Sequence, residues 1–214
     1  REMPPTPSGL VLVLGPLLLV LLLRTLITET GAQPTPTPSL TIRDGVALGK
    51  HASFLHLAGS GKGWGDNSLA TLGLGDLTDR GGTVGSMGAN LAFLNLTDDV
   101  RSVHMGTYHG CALVVPRPSS NDSGLRCWGY NYYGELGLGM AVNTMGDAPN
   151  QMGFALPVVN VGSGRTVKAV SAQEYHTCVV LDNDALKCFG DNAKGNLGYG
   201  DTTQRGRSVA DMGD

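Results

Sequence analysis

The chain has 214 residues, among them 32 glycines, 11 prolines and 4 cysteines, with 41% hydrophobic residues and a net charge of −3. That apolar content excludes general disorder, which goes with low hydrophobicity and high net charge. Glycine at about twice its ordinary share argues against a helical bundle and for many short strands joined by tight turns, and the slight negative charge gives no electrostatic trap for nucleic acid.

Residues Leu10 to Leu23 form a leucine-dominated apolar run, interrupted by Gly15-Pro16 and ended by Arg24. A membrane-spanning helix needs about 20 apolar residues, so this run is short for a span and fits the core of a secretory leader helix. Thr30-Gly31-Ala32 places small residues for cleavage before Gln33. Residues 1–32 are therefore expected to be a signal peptide or an uncleaved signal anchor. Pro34-Thr35-Pro36-Thr37-Pro38-Ser39 follows, and alternating proline makes residues 33–40 a stiff extended linker whose threonines are candidates for O-linked sugar.

An internal repeat organises residues 41–214. Trp64-Gly65-Asp66-Asn67, Trp128-Gly129-Tyr130-Asn131 and Phe189-Gly190-Asp191-Asn192 are each followed by a Leu-Gly-x-Gly segment beginning at Leu72, Leu136 and Leu197. The aromatic positions 64, 128 and 189 give a period of 64 and then 61 residues. Each unit continues to a Met-Gly pair, at Met87-Gly88, Met152-Gly153 and Met212-Gly213. Upstream, His51-Ala52-Ser53, His109-Gly110-Cys111 and His176-Thr177-Cys178 align. The units lie near 46–102, 103–169 and 170–214.

In the third unit, residues 167–172, 175–181 and 185–189 are rich in Val and aromatics and bounded by turn residues, the pattern of short strands. Asp182-Asn183-Asp184 is a hairpin turn. A fourth strand is expected over 155–161, with 91–96 as its counterpart. Four antiparallel strands per unit make a propeller blade, so the fold class is all-β, a partial propeller of two and a half to three blades.

The segment from His176 to Gly206, with its His-Thr-Cys-Val-Val-Leu-Asp, Leu-Lys-Cys-Phe-Gly-Asp-Asn and Gly-Asn-Leu-Gly-Tyr-Gly-Asp-Thr-Thr-Gln-Arg-Gly, resembles the regulator of chromosome condensation repeat. The resemblance covers residues 46 to 214 and implies a seven-bladed β-propeller, generally used as a binding scaffold. Seven blades of this period need roughly 430 residues, so the chain supplies fewer than half and is expected to be a partial chain, or to assemble with further blades.

The repeat also orders the cysteines. Cys178 and Cys188 flank the 182–184 turn, Cys111 and Cys127 hold the same two positions, and the first unit has Ser53 and Gly63 there. Joint presence or absence is the signature of bonded pairs, so Cys111–Cys127 and Cys178–Cys188 are expected to be disulfides worth on the order of 2–3 kcal/mol each. No Cys-x-x-Cys spacing points to zinc.

His51, His109 and His176 recur once per unit, which favours blade-to-blade hydrogen bonds over catalysis; His56 and His104 have no evident partner. Asn121-Asp122-Ser123, in the longer second hairpin, and Asn95-Leu96-Thr97 are N-glycosylation acceptors. Gly59-Ser60-Gly61-Lys62-Gly63 fails the phosphate-loop spacing and occupies the hairpin-turn position of the first unit. Tyr130, Tyr132 and Tyr133 form an aromatic cluster suited to partner contact. Arg80, Arg205 and Arg207 are expected in solvent or bonded to nearby Asp.

These features predict a non-catalytic binding module, secreted or membrane-anchored, with no cofactor, metal or nucleic acid, a protein or glycan ligand, and membrane contact only through the N-terminal segment. Two alternatives from the same resemblance are a guanine-nucleotide exchange factor for a small GTPase, acting in cytoplasm or nucleus, and the propeller segment of a larger ubiquitin ligase.

Overall fold

The computed structural model describes residues 46–57, 59–117 and 122–213. The leader at 1–32, the linker at 33–40 and the acceptor Asn121 lie outside the described residues. Three antiparallel sheets follow one another along the chain. The first blade is β1 (Val46–Leu48), β2 (Ala52–Leu57) and β3 (Ser60–Gly65). The second is β4 (Val100–Met105), β5 (His109–Val114), β6 (Leu125–Tyr130) and the short β7 (Thr144–Met145). The third is β8 (Val167–Ala172), β9 (His176–Leu181) and β10 (Leu186–Gly190). The only helical segments among the described residues are single 3-10 turns, and no helix there is long and apolar enough to cross a membrane.

Period-two burial explains the strands. In β9, Thr177, Val179 and Leu181 are buried while His176, Cys178 and Val180 are half-buried, the pattern of a strand with one face fully packed. The expected 182–184 turn is present, with Asp184 in the left-handed region at φ 68° and its N–H donating to Leu181 O.

Two expectations are corrected. Residues 91–96 contribute one isolated bridge, Lys62 to Phe93, and residues 156–161 form no strand. Leu94, Leu156, Val159 and Val161 instead bury their side chains, and single hydrogen bonds such as Leu94 N–H to Gly61 O and Val159 N–H to Leu125 O tie the segments down. These residues are hydrophobic because they plug the core rather than because they alternate across a sheet. The fourth strand of the second blade is β7.

The second correction concerns the first hairpin. Leu57 pairs with Ser60, and Ser60–Gly63 lies within β3 rather than in a turn. Gly63 is required there because a Cβ would sit 2.6 Å from Phe54 Cζ.

The blades stack through a repeated contact. Trp128, fully buried, donates from Nε1 to Thr71 O of the first blade at 2.9 Å. Its indole lies 2.8 Å from where a Cβ on Gly73 would be, and the Phe189 ring approaches Gly137 in the same way at 2.7 Å. Both glycines also have positive φ, 61° in each case, so no other residue fits without strain. Behind this junction sits a buried ion cluster: Arg126 bridges Asp98 at 3.1 Å and Asp122 at 2.8 Å. Burial alone would push the Asp122 carboxyl up; the Arg126 guanidinium and the Gly124 and Arg117 N–H groups overcome it and hold it at about 2.

Candidate binding face

The sheet register shifts the histidine alignment by one residue. Gly129 pairs with His109 and Gly190 with His176, but Gly65 pairs with Ala52. His51 therefore matches Tyr108 and Tyr175, the residues just before those histidines. These three sit in the turns between the first and second strands of successive blades and stack in a row. His51 to Tyr108 is 5.0 Å between ring centroids and Tyr108 to Tyr175 is 5.4 Å.

The cluster expected from sequence joins this row. Tyr133 meets Tyr175 at 5.3 Å and Tyr132 at 5.1 Å, while Tyr130 lies 6.0 Å from Tyr108. Tyr130 is carried by the end of β6, and Tyr132 and Tyr133 by the turn that follows, whose geometry is set by Asn131: its Oδ1 accepts from Leu136 N–H and its Nδ2 donates to Val142 O. Arg207 reaches across from the third blade. It donates to Asn131 O and Tyr132 O, and its guanidinium lies 5.7 Å from the Tyr132 ring centroid. Tyr132 is half exposed at 51%; the other tyrosines of the row are partly covered. The hydrogen bond with Tyr108 and burial raise the Tyr175 hydroxyl to about 12, so Tyr175 is uncharged at physiological pH.

A cleft of about 180 Å³ opens beside the row, lined by His51, Asp66, Ser68, Leu69, Thr71 and Tyr108. His51 Nδ1 lies 3.3 Å from Asp66 Oδ2. Ser68 backbone and side-chain hydrogen bonds, with His51 next to them, hold the Asp66 carboxyl below its ordinary value. A second cavity of about 380 Å³ is lined by the first strands of all three blades and includes His56, Ser102 and His104. His56 Nε2 is bonded to Val100 O at 3.0 Å and His104 Nε2 to Ser102 Oγ at 2.9 Å.

Of the three aligned histidines, His109 makes the expected junction bond. Thr177 Oγ1 donates to Glu135 O at 2.9 Å, which leaves His109 Nε2–H to donate to Thr177 Oγ1 at 2.8 Å. Burial, and then the neighbouring His176, press His109 down to about 3, so it is neutral. His51 departs from the expectation: it stacks on Tyr108 and pairs within its own blade. Both cysteine pairs are bonded, Cys111 to Cys127 and Cys178 to Cys188. The cross-strand partner of Gly63 is Phe54, not Ser53, which faces Trp64. Asn95 is exposed, and its backbone spans a junction through Asn95 N–H to Gly73 O and Gly153 N–H to Asn95 O. Arg80 and Arg205 bond Asp76 and Asp201. Among the described residues no group of three or more His, Cys, Asp or Glu could hold a metal ion.

Successive three- and four-stranded antiparallel sheets, stacked aromatic-into-glycine, define the blades of a β-propeller. Residues 167–196, in the third blade, match the model of the regulator of chromosome condensation (RCC1) repeat. The human probable E3 ubiquitin-protein ligase HERC6 is 27% identical over 83% of the chain, and the chain spans 21% of its length. Two solved structures share the fold at 20% identity. Human WBSCR16 aligns with a TM-score of 0.53 over 76% of this chain and 37% of that one. Prp20p from Saccharomyces cerevisiae aligns with a TM-score of 0.51 over 78% and 37%.

Proposed function

We propose that the chain is a non-catalytic binding module of the secretory pathway, either released or held at a membrane by its N-terminal apolar run. The observation that carries the binding role is the aromatic row His51–Tyr108–Tyr175, one ring from each of three successive blades, enlarged by Tyr130, Tyr132 and Tyr133. Rigid rings offer large contact area at low entropic cost, and Arg207 adds a planar cation beside them. The face suits a protein surface or the flat side of a sugar ring. Two bonded cysteine pairs support the oxidising compartment, and Asn95 and Asn121 are its proposed glycosylation sites.

The test is expression of the full chain in a eukaryotic cell, followed by binding to arrayed extracellular domains and glycans. The proposal expects protein in the secretory pathway, sensitive to peptide N-glycosidase, with at least one ligand whose binding falls at least about tenfold in Tyr132→Ala with Tyr175→Ala. A purely cytosolic, unglycosylated chain would overturn the compartment. Binding unaffected by the tyrosine variants would overturn the face.

One observation favours a second reading, a partner-binding segment of a larger ubiquitin ligase: the similarity to HERC6 runs over 83% of the chain. Under it the same face binds cytosolic protein, and the cysteines carry free thiols in the cell.

A further inference from the structure

Two exposed rings at the junction of the first and second blades are not explained by the repeat. Phe93 is 49% exposed and Phe154 79% exposed. Phe154 follows the Met152-Gly153 pair, whereas Ala89 and Asp214 follow the other two pairs. Phe93 stands two residues before Asn95. The place of Asn95 is taken at the next junction by Asn160: the Cβ position of Gly153 is 3.4 Å from Asn95 Oδ1, and that of Gly213 is 3.4 Å from Asn160 Nδ2. Two residues before Asn160 stands Val158, so blade packing does not demand an aromatic at either position. Both rings are nevertheless held, since Lys62 Nζ sits 4.5 Å from the Phe93 centroid and Arg117 Cζ 5.3 Å from that of Phe154.

Asn95 lies between the two rings. It is the central residue of a tight turn closed by Leu96 N–H donating to Leu94 O at 2.9 Å, and Gly153 N–H donates to Asn95 O at 2.8 Å, which sets Phe154 beside it. Exposure alternates along this segment: Phe93, Asn95 and Thr97 are exposed, Leu94 and Asp98 are buried and Leu96 is half-buried. The ring, the amide and the hydroxyl of the acceptor triplet therefore face solvent together. Thr97 Oγ1 accepts from Arg117 Nη2 at 3.2 Å, which ties the triplet to the cation over Phe154. Among the described residues no hydrogen bond engages the Asn95 side chain. Asn160 differs on each count: its Oδ1 accepts from Gly162 N–H at 3.0 Å, and Gly162 supplies no hydroxyl.

We infer that Asn95 carries an N-linked glycan whose first sugar lies on the Phe93 ring, bordered by Phe154, and so clamps this junction. The inference rests on the secretory compartment proposed above. The donor is a lipid-pyrophosphate-linked oligosaccharide. The Asn95 Nδ2–C1 bond forms, the bond from C1 to the pyrophosphate oxygen breaks, and the proton displaced from the amide passes to a base of the transferase. The linked pyranose then presents a face of polarised C–H bonds, and the face of an aromatic ring is negative. Ring and amide stand two residues apart, roughly 6–7 Å along an extended chain, so the first sugar is the one that reaches the ring. The contact is separate from the tyrosine face.

The test is expression of the full chain in a eukaryotic cell, glycopeptide mapping at Asn95 and Asn121, and thermal melts after an endoglycosidase has trimmed each glycan to its first sugar. The expected result is an occupied Asn95 and a Tm about 2–4 °C above that of Asn95→Gln. In the Phe93→Ala background the same sugar should add less than about 1 °C, while Phe93→Tyr should keep the full gain. Melting the pairs with and without the sugar cancels whatever Phe93→Ala costs through Lys62. A glycan on Asn121 with none on Asn95 would overturn this inference and uphold the compartment. A glycan on neither would overturn both. An occupied Asn95 whose sugar adds nothing, or adds as much over alanine as over phenylalanine, would overturn the contact with the ring.

Discussion

The Phe54 ring lies across Gly63, in the cross-strand position that Cys111–Cys127 and Cys178–Cys188 occupy in the next two blades. The ring fills the volume a cystine takes elsewhere, with Phe54 Cζ 2.6 Å from the Cβ that Gly63 lacks, and it meets Trp128 edge-on at 6.2 Å. One structural slot thus holds either a covalent link or an aromatic ring with a glycine beneath it. The pairing explains why both half-cystines are missing together from the first blade: a ring needs the glycine, and a lone cysteine opposite a phenylalanine would clash.

Replacing both slot residues should therefore restore a third disulfide. Phe54→Cys with Gly63→Cys is expected to cross-link, read as a loss of two hydrogens in the intact mass. Ser53→Cys with Gly63→Cys should stay reduced, because neighbouring strand residues point to opposite faces and Ser53 pairs with Trp64.

Trp64 and Trp128 hold the same repeat position in different surroundings. Trp128→Ala empties a filled junction and breaks the bond to Thr71 O, so it should cost about 3–5 kcal/mol. Trp64→Ala, at a partly exposed site, should cost the single chain about 1 kcal/mol or less. Urea unfolding of the two variants measures the difference. Equal losses would show that the filled junction around Trp128 does not set its contribution.

Glu135 makes stability depend on pH. Burial pushes its carboxyl from near 4.5 up to about 7, against the opposing pull of the Glu135, Tyr133 and Gly134 N–H groups. A carboxyl raised on folding favours the fold while it is protonated. Its contribution is complete below the unfolded value and is lost as pH rises through about 7. Glu135→Gln should then stabilise the chain by roughly 2–3 kcal/mol at pH 8 and by under about 0.5 kcal/mol at pH 4. His109 acts in the opposite sense, since its value falls to about 3 and its contribution is lost as pH falls; it is common to both proteins and cancels in the comparison. Thermal melts from pH 4 to pH 8 supply the test, and a difference that does not grow with pH would contradict it.

What the sequence made legible was whatever recurs. The strands of the third unit, its 182–184 turn, the Leu-Gly-x-Gly sockets and the choice of cysteine partners all follow from matching positions across units. The fourth strands did not, because residues 91–96 and 156–161 are apolar in order to fill the core between blades, and a short apolar run looks alike in either role. His51 was misplaced for a different reason. A His followed by small residues fits the repeat equally well one position off, and only the pairing of Gly65 with Ala52 resolves it. That one-residue shift also hid half of the proposed binding face. Tyr108 and Tyr175 each stand beside a more conspicuous histidine, and their equivalence to His51 emerges only from strand register, although their common place in the repeat was the available signal.

Removing one cystine should loosen a blade without abolishing it. Cys178→Ser with Cys188→Ser is expected to cost about 3 kcal/mol and to lower Tm by roughly 5–10 °C, with the far-UV spectrum retained.

Peptide mapping of the natively folded chain, alkylated before any reduction, reads the shared register and the compartment at once. The expected result is two linked peptide pairs, Cys111 with Cys127 and Cys178 with Cys188, and no alkylated cysteine. Four alkylated thiols would contradict the secretory assignment, and a link between residues of different hairpins would contradict the blade register itself.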